Sequence, residues 1–434
     1  MIRAIIPVSS LLLGMAILLA GSGLIGTLLG LRASAEGFSA LALGLVMSGF
    51  FGGYIAGAFV CPPLIRRIGH IRAFTALAAL AATVALLYGM IVNPWMWWIL
   101  RVAHGIAMVG IYMIIESWLN EQMHDQRGKI FSAYMMISFI ALGLGQFLIA
   151  LYGAEHLASF ALVAIFYSLG LIPIALTPVS QPTPVHTPRL PLARLYQVSP
   201  VGFMGGLVSG LVSGAFWGLS AAYAAAQGLD NFHVALFASV AIFGGAAMQW
   251  PVGHAAEHRD RRVVLVSVCV LATLSASAMF VASALSTLGL IVATGFYGGF
   301  AFTLYSLAVA QTHDRFHATE ALEATKALLI LHGTGAMLGP VLVGGLLSAL
   351  GARIFPLALG TLLTALALFT VWRIRRDAPV PDAELSEFLP VLRTSEVSME
   401  MDPRTPEVTA TTANQPGPPD TAPAPEAPAR GALD

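Results

Sequence analysis

Two charged side chains lie inside one long apolar stretch of the sequence. Arg101 and Glu116 both fall in the stretch at 95–120, which is otherwise mostly apolar. A charge within a membrane-spanning helix costs about 2.5–3.5 kcal/mol on insertion scales, so it is rare and usually functional. At about 1.5 Å of rise per residue the two are on the order of 22 Å apart, too far for a direct ion pair. An arginine suits recognition of an anion, and a desolvated carboxyl suits proton transfer because burial disfavours its charged form.

The spacing brings both residues close to one face of a helix. Arg101, Gly105, Met108, Tyr112 and Glu116 follow one another at steps of four, three, four and four residues. Such steps keep residues near one helical face. We therefore expect this face to line a central aqueous cavity that binds a substrate, with Glu116 as the proton-coupling candidate.

Structural roles compete with these functions. Arg101 could instead anchor a helix end or the outer membrane interface, and Glu116 could pair with Arg127 at the membrane surface. His104 and His332 are better explained as hydrogen-bonded structural residues. Further candidates for the cavity wall are neutral polar or aromatic residues: Tyr134, Gln146, Trp217, Tyr297 and Tyr305.

A short internal repeat relates two parts of the chain. Its first copy is Ser117, Gln122, His124 and Asp125, and its second copy is Ser306, Gln311, His313 and Asp314, at an offset of 189 residues. At the same offset Glu116 matches Tyr305 and Arg101 matches a leucine, so the two charges belong to the first copy alone. Duplicated membrane halves are typical of secondary transporters. We expect the His and Asp of both copies to cap helices or form a cytoplasmic gate.

The composition excludes most other classes. The chain has 434 residues, of which 57% are hydrophobic and 10% charged, against roughly 45–50% and 25% in soluble domains. This composition therefore predicts an integral membrane protein in contact with the lipid bilayer. A net charge of +0 gives no reason to expect a nucleic acid partner. The absence of a P-loop argues against an ATP-driven pump, and no cofactor, His/Cys metal cluster or enzyme site is expected.

The apolar runs are long enough to cross a bilayer as helices, which need about 20 residues each. They are too long and too continuous for barrel strands, so the sequence predicts an all-α polytopic membrane protein. The first run is read as a retained span rather than a signal peptide. The twelve predicted spans are 7–31, 40–63, 73–92, 95–120, 129–152, 157–177, 201–226, 231–256, 263–284, 286–311, 321–347 and 352–373.

The spans divide the chain into four regions. Residues 1–177 and 201–373 are predicted to form two six-helix bundles. A proline-rich stretch at 178–200 separates them, and since proline resists helix continuation we expect an extended cytoplasmic linker. The tail at 374–434 is rich in Pro, Ala and Thr and is expected to be disordered from 377 onward.

Lysine and arginine set the predicted orientation. Nineteen of the 22 lie in the termini, the tail and the loops on one side of the predicted membrane. The positive-inside rule then places both termini in the cytoplasm of a bacterial cell, with the chain in the inner membrane.

Several loop and helix motifs resemble those of the major facilitator superfamily. The loop after the second span carries Arg66, Arg67, Gly69 and Arg72, and its second-half counterpart runs from Gly253 through Glu257 to Arg261 and Arg262. Arg101-x3-Gly105 is similar to the fourth-helix motif of the superfamily. The resemblance implies two pseudo-symmetric six-helix bundles and a cytoplasmic gate at both loops. Because Arg66 stands where the superfamily usually has an acid, the gating salt bridge is expected in the second half only.

A narrower resemblance is to the bacterial YcaD-like branch. It is carried by the run from Glu116 to Glu121, by Arg127-Gly128 and by the Ala-Tyr-Met-Met run at 133–136. The resemblance implies a transporter. Our leading hypothesis is a secondary active transporter of a small organic solute that works by alternating access as a monomer. Glu116, as the lone acid within the spans, adds the narrower hypothesis of proton coupling. The alternative is a receptor or scaffold that keeps the transporter frame and signals through its C-terminal tail. Substrate identity and transport direction stay open.

Overall fold

The computed structural model describes residues 8–121, 127–176 and 190–378, together with residues 380 and 388. Every regular element in these residues is helical, and twelve helices are long and apolar enough to cross a membrane. This confirms the predicted all-α class. We number the spans 1 to 12 in chain order: Ser9–Ala35, Ala40–Ile68, His70–Met90, Pro94–Glu121, Lys129–Tyr152, Leu157–Ile174, Pro200–Ala226, Asn231–Glu257, Arg261–Ala282, Thr287–His313, Glu323–Leu350 and Ala352–Ile374.

Two spans are interrupted, and a third begins with a 3-10 turn. Span 5 consists of an α-helix at Arg127–Gly145, a 3-10 turn at Gln146–Leu148 and a last turn at Ile149–Tyr152. Span 10 breaks between Thr287–Ala301 and Leu304–His313, and span 12 opens with a 3-10 turn at Ala352–Ile354. The helix of span 11 begins earlier than its apolar part, at Ala318–Leu350. The breaks in spans 5 and 10 both lie beside the cavity described below.

Close backbone contacts repeat in the two halves with an offset of six spans. A Cβ built on Gly145 of span 5 would lie 2.2 Å from the carbonyl oxygen of Ala20 in span 1. In the corresponding pair, spans 11 and 7, a Cβ built on Gly335 would likewise lie 2.2 Å from the carbonyl oxygen of Leu207. Spans 2 and 4 likewise meet at a glycine, and so do spans 8 and 10. Small residues let helices approach closely, so the two halves share one packing scheme.

The prediction of an extended linker is wrong for the last part of the linker, where Leu192–Val198 form a short helix. No proline falls between Pro191 and Pro200, so nothing prevents a helix there. Its Leu195 is buried in a cluster with residues of spans 10 and 11, and Arg194 forms an ion pair with Glu320 at 2.5 Å. Residues 177–189 of the linker lie outside the described residues.

Part of the tail packs against the second half, contrary to the expectation of disorder from 377 onward. The backbone carbonyl of Asp377 accepts a hydrogen bond from Arg262 at 2.9 Å, and that of Ala378 accepts one from Arg315 at 3.2 Å. Phe388 is 6% exposed and packs on Gly253 at the end of span 8. A single large apolar side chain thus anchors this point of the tail. The remaining tail positions lie outside the described residues.

The two ends of the spans differ in charge and in packing. The arginine-poor side carries the loops at 36–39, 91–93, 153–156, 227–230 and 283–286 and residue 351, and the arginine-rich side is the opposite one. The two halves contact each other near the arginine-poor side. There the backbone N–H of Leu41 donates to Ser348 Oγ at 2.9 Å, and Ser239 Oγ donates to the Gly143 carbonyl at 2.8 Å.

Candidate functional site

A cavity of about 300 Å³ lies between the two halves of the molecule. Spans 1, 2, 4, 5 and 6 supply its first wall, and spans 7, 8, 10 and 11 supply the second. Most of the lining is apolar or aromatic, with a few polar groups in fixed positions. The polar and large aromatic residues of the wall are Ser22, Thr27, Phe50, Phe51, Tyr54, Arg101, His104, Tyr112, Phe139, Gln146, Tyr167, Ser213, Trp217, Ser220, Phe302 and His332.

Arg101 is the only Lys or Arg on the described cavity wall. Its side chain is 7% exposed, and its guanidinium lies 4.7 Å from the centre of the Phe50 ring. Arg101 Nη2 donates to the sulfur of Met47 at 3.2 Å, whereas Nε has no hydrogen-bond partner among the described residues. In the described part of the chain no carboxylate pairs with it. A buried cation without an anionic partner is costly, so this site is suited to a ligand that brings the anion.

A hydrogen-bond chain orients the polar groups next to Arg101. His104 Nε2 lies 3.0 Å from the Tyr167 hydroxyl, and that hydroxyl lies 3.3 Å from Ser22 Oγ. His104 Nδ1 has no partner among the described residues, although the ring is 1% exposed. Thr27 hydrogen-bonds to Gln146, at the point where span 5 becomes a 3-10 turn. The chain links spans 1, 4 and 6 and holds neutral donors and acceptors close to the arginine.

The second half contributes an aromatic wall. Trp217 of span 7 stacks on Phe302, with ring centres 5.3 Å apart and planes at 15°. Phe302 sits at the break of span 10. His332 of span 11 lies 3.0 Å from Ser209 Oγ through its Nδ1. Flat, rigid aromatic surfaces of this kind suit a planar apolar ligand body.

Glu116 is fully buried, but it does not line the cavity. Its Oε1 accepts a hydrogen bond from the Tyr134 hydroxyl at 2.5 Å. Tyr54 and Tyr112, which do line the cavity, interact electrostatically with this carboxyl. The carboxyl therefore lies behind the cavity wall.

Half of the predicted wall residues line the cavity. Arg101, Tyr112, Gln146 and Trp217 are on its surface, whereas Glu116, Tyr134, Tyr297 and Tyr305 are not. The angle about the axis of span 4 does not by itself decide the split. At about 100° per residue, Glu116 is turned about 60° from Arg101, yet Val109, which is turned about 80°, lines the cavity. Glu116 lies one turn beyond Tyr112, toward the arginine-rich end of the span. Tyr297 instead stacks on Phe216 at 5.6 Å, and Tyr305 packs behind His332 at 4.8 Å.

Sequence reasoning missed part of the wall. Phe50 and Tyr54 lie four residues apart on span 2 and face Arg101 and Tyr112 of span 4. Their spacing of one helical turn is visible in the sequence. Nothing in the sequence alone says that this face turns to the cavity rather than to lipid, because both environments favour aromatic side chains.

Comparison with known proteins identifies the family. The model of the Major Facilitator Superfamily matches residues 11–322, well over half of the chain. The chain belongs to this superfamily. It is a multi-pass membrane transporter of the YcaD-like branch, as the resemblance implied.

The relatives and solved structures agree with this assignment. The chain is 28% identical to proteins described as "Uncharacterized MFS-type transporter YcaD" from Escherichia fergusonii and Salmonella newport, over 77% of this chain and 87% of each relative. Its fold is similar to that of the nucleoside transporter NupG, with a TM-score of 0.71 and 11% identity over 86% of this chain and 100% of the other. A bacterial homologue of the lysosomal transporter Spinster has a TM-score of 0.70 and 13% identity, covering 88% and 98%.

The candidate gate of this superfamily member is built differently in its two halves. In the second half Arg261 and Asp314 form a buried ion pair at 3.2 Å between the ends of spans 9 and 10, and His313 Nε2 lies 2.6 Å from Thr325 Oγ1. In the first half the corresponding loop turns at Gly69, whose φ of +84° favours glycine. Its arginines, namely Arg66, Arg67 and Arg72, are exposed. His124 and Asp125 lie outside the described residues.

A second acidic residue shapes the same end of the transporter. Asp260 caps span 9 by accepting the backbone N–H of Arg262 at 2.9 Å, and it pairs with the guanidinium of that arginine at 2.7 Å. Burial alone favours the neutral acid, but the hydrogen bonds from Arg262 outweigh it. The pKa of Asp260 therefore lies below its usual range.

A cluster of exposed side chains lies at the arginine-rich end of span 8. One possible ligand atom from each of His254, Glu257 and His258 lies within 4.8 Å of the others. In the sequence these residues read His-x-x-Glu-His.

Proposed function

We propose that the protein is a secondary active transporter of a small organic anion, which binds in the cavity between the two halves. The observation that supports it most is Arg101, a buried cation on the cavity wall with no carboxylate partner among the described residues. A solute carboxylate at this point would supply the missing counter-charge. Arg–carboxylate hydrogen bonds are charge-assisted and stronger than neutral ones.

The rest of the wall suggests the body of the solute. A volume of about 300 Å³ is at the lower end of small-molecule sites. The Trp217–Phe302 stack and the Phe50 ring offer flat apolar surfaces on both walls. With a single arginine, the cavity favours one negative charge. We therefore propose an aromatic or similarly compact monocarboxylate rather than a highly charged metabolite.

Alternating access is supported by the packing of the halves. The contacts at Leu41–Ser348 and Ser239–Gly143 join the two halves near the arginine-poor side, which supports a cavity closed on that side. By the positive-inside rule the arginine-rich side faces the cytoplasm, with both termini there and the chain in the bacterial inner membrane. We infer that the structure is an inward-facing state. Rocking of the two halves would open the opposite side, as in other transporters with repeated halves.

Coupling to protons is proposed through Glu116. The carboxyl is buried, hydrogen-bonded to Tyr134, and interacts with the cavity residues Tyr54 and Tyr112. A proton on Glu116 would change the field at these two tyrosines and thereby the binding of an anion at the same wall. In this arrangement Glu116 acts through the wall and does not touch the solute.

Binding measurements test the role of Arg101. Purified protein is screened by thermal shift against aromatic monocarboxylates and their neutral amides, since a bound ligand raises the stability of the fold. We expect the acid of a matched pair to bind and its amide to bind at least about tenfold more weakly, which corresponds to about 1.4 kcal/mol. Arg101→Gln should remove this preference. Arg353→Gln is the control, because Arg353 stacks on Phe280 and does not line the cavity.

Transport in proteoliposomes tests the rest of the proposal. Uptake of the best acid should depend on an imposed pH gradient, and Glu116→Gln should remove that dependence while binding is retained. Glu155→Gln, in a loop on the arginine-poor side, is the matched control. Unchanged pH dependence in Glu116→Gln would exclude the coupling role. Loss of acid binding in both arginine variants would exclude a specific role for Arg101.

A further inference from the structure

A cluster of two histidines and a glutamate lies at the arginine-rich end of span 8, outside the lining of the cavity. We propose that His254, Glu257 and His258 form a surface site for a divalent transition metal, with Zn²⁺ as the best-matched ion. One possible ligand atom from each residue lies within 4.8 Å of the others, and all three side chains are exposed. The site is separate from the cavity and from the solute.

Helix geometry brings the three side chains together. The helix of span 8 ends at Glu257, with His258 as the following capping residue. The two histidines are four residues apart, and Glu257 is three residues from the first of them, so all three lie on neighbouring positions of one helical face. The imidazole rings are already adjacent, with centres 4.4 Å apart. Two histidines and one glutamate form a ligand set found in zinc sites that keep an open fourth position for water.

The surroundings orient the two rings. His258 Nδ1 lies 2.9 Å from the backbone carbonyl of His254, which can only accept a hydrogen bond, so Nδ1 carries the proton. Nε2 of the neutral ring is then left with a free lone pair for a metal. Metal-binding histidines are commonly oriented in this way by a carbonyl. Trp250 stacks on the other imidazole at 5.9 Å and 11° and restricts its rotation.

Closing the site requires only small side-chain movements. With Zn–N distances of about 2.0–2.1 Å, tetrahedral ligand atoms are about 3.3 Å apart, so the separations between the ligand atoms must shrink by at most about 1.5 Å. Exposed side chains can rotate by that amount. The backbone N–H of Phe388 donates to Glu257 Oε1 at a long 3.4 Å. A carboxylate has about four acceptor positions, so this contact leaves room for a metal.

The local charge balance does not oppose a cation. The C-terminal end of a helix carries a partial negative charge, which stabilises cations. Arg259, Arg261 and Arg262 follow the site, but the last two are neutralised by ion pairs with Asp314 and Asp260 respectively. Only Arg259 remains exposed without an ion pair among the described residues. Imidazole ligands favour Zn²⁺, Cu²⁺ or Ni²⁺ over Mg²⁺ or Ca²⁺.

Calorimetric titration with Zn²⁺ tests the proposal. The full-length protein is purified in detergent through a tag that contains no histidine. We expect one Zn²⁺ per chain, and Co²⁺ at the same site should show the intense visible absorption of a tetrahedral complex. His254→Gln, Glu257→Gln and His258→Gln should each weaken binding by about tenfold or more, since each removes a direct ligand. Mg²⁺ should not compete.

His233→Gln is the matched control, because His233 is exposed at the opposite end of the same span and is paired with Asp230. It should leave Zn²⁺ binding unchanged. All four variants should elute from gel filtration like the parent, since none of the substituted side chains is buried. Equal Zn²⁺ affinity in the parent and in the double variant His254→Gln/His258→Gln would overturn the proposal. So would the absence of stoichiometric binding to the parent.

Discussion

Two adjacent glycines of span 11 provide a matched test of how the halves close. A Cβ built on Gly344 would lie 2.5 Å from the carbonyl oxygen of Ala40 in span 2, across the interface between the halves. Its neighbour Gly345 has nothing nearer than a Leu41 methyl group at 4.0 Å. Both are helical, so their effects on helix propensity should be alike. Only Gly344→Ala therefore forces the two halves apart near the arginine-poor side.

The expected size of the effect follows from these distances. Ordinary van der Waals contact begins at 3.4 Å, so the interface must open by about 0.9 Å at Gly344. Overpacking of this kind costs about 1–3 kcal/mol. The cost applies to the state in which this side is closed and is relieved when the halves separate. The population open to the arginine-poor side should therefore rise by about 5- to 150-fold.

Thiol labelling measures this population. Ser220 lines the cavity and is near the end of span 7 that leads to the arginine-poor side, so Ser220→Cys reports on access from there. The two native cysteines are buried and should give a low background. A membrane-impermeant thiol reagent should label Ser220→Cys faster when Gly344→Ala is present, and at the parental rate when Gly345→Ala is present.

Two results would refute this reasoning. The first is the same labelling rate in Gly344→Ala and Gly345→Ala, which would mean that the contact does not control closure. The second is slower labelling in Gly344→Ala, which would mean that the contact belongs to the open state. Gel filtration and thermal unfolding in detergent show whether either variant has simply lost its fold.

Two further predictions concern the arginine-rich side. Asp314→Asn removes the ion pair with buried Arg261 and should reduce the free energy of unfolding by about 3–5 kcal/mol, and most of the loss should be recovered in the double variant Arg261→Met/Asp314→Asn. Denaturant unfolding in detergent measures the stability of both variants. If the losses of the two single substitutions simply add in the double variant, the two side chains are not coupled and the prediction is wrong. The pKa of Asp260 is lower in the folded protein than its value of about 3.9 in the unfolded chain. The carboxylate therefore stabilises the fold fully at pH values above the unfolded pKa, and this stabilisation is lost as the pH falls through the lower pKa of the folded state. The difference in thermal stability between the parent and Asp260→Asn should therefore disappear on acidification, and a difference that grows instead would show that the sign is wrong.

Much of the fold could be predicted from the sequence. In an apolar run of more than about 20 residues that crosses a membrane, a helix satisfies the backbone hydrogen-bonding groups, because lipid offers them no partners. The relation of Arg101 to Tyr112 was also accessible, since eleven residues of one helix return almost to the same face. Both conclusions need only the local geometry of a single continuous helix.

The rest depended on contacts between distant segments. Whether Phe50 faces Arg101 or lipid depends on how span 2 packs against span 4, and an aromatic side chain is compatible with either environment. Glu116 follows Tyr112 by one turn of span 4, yet its carboxyl accepts a hydrogen bond from Tyr134 of span 5 and does not line the cavity. Phe388 looks like part of a polar, unstructured tail until its contact with Gly253 is known. The sequence by itself therefore determined the membrane class, the helices and the family. Only the tertiary structure decided which side chains share a cavity, because that depends on packing between spans far apart in the chain.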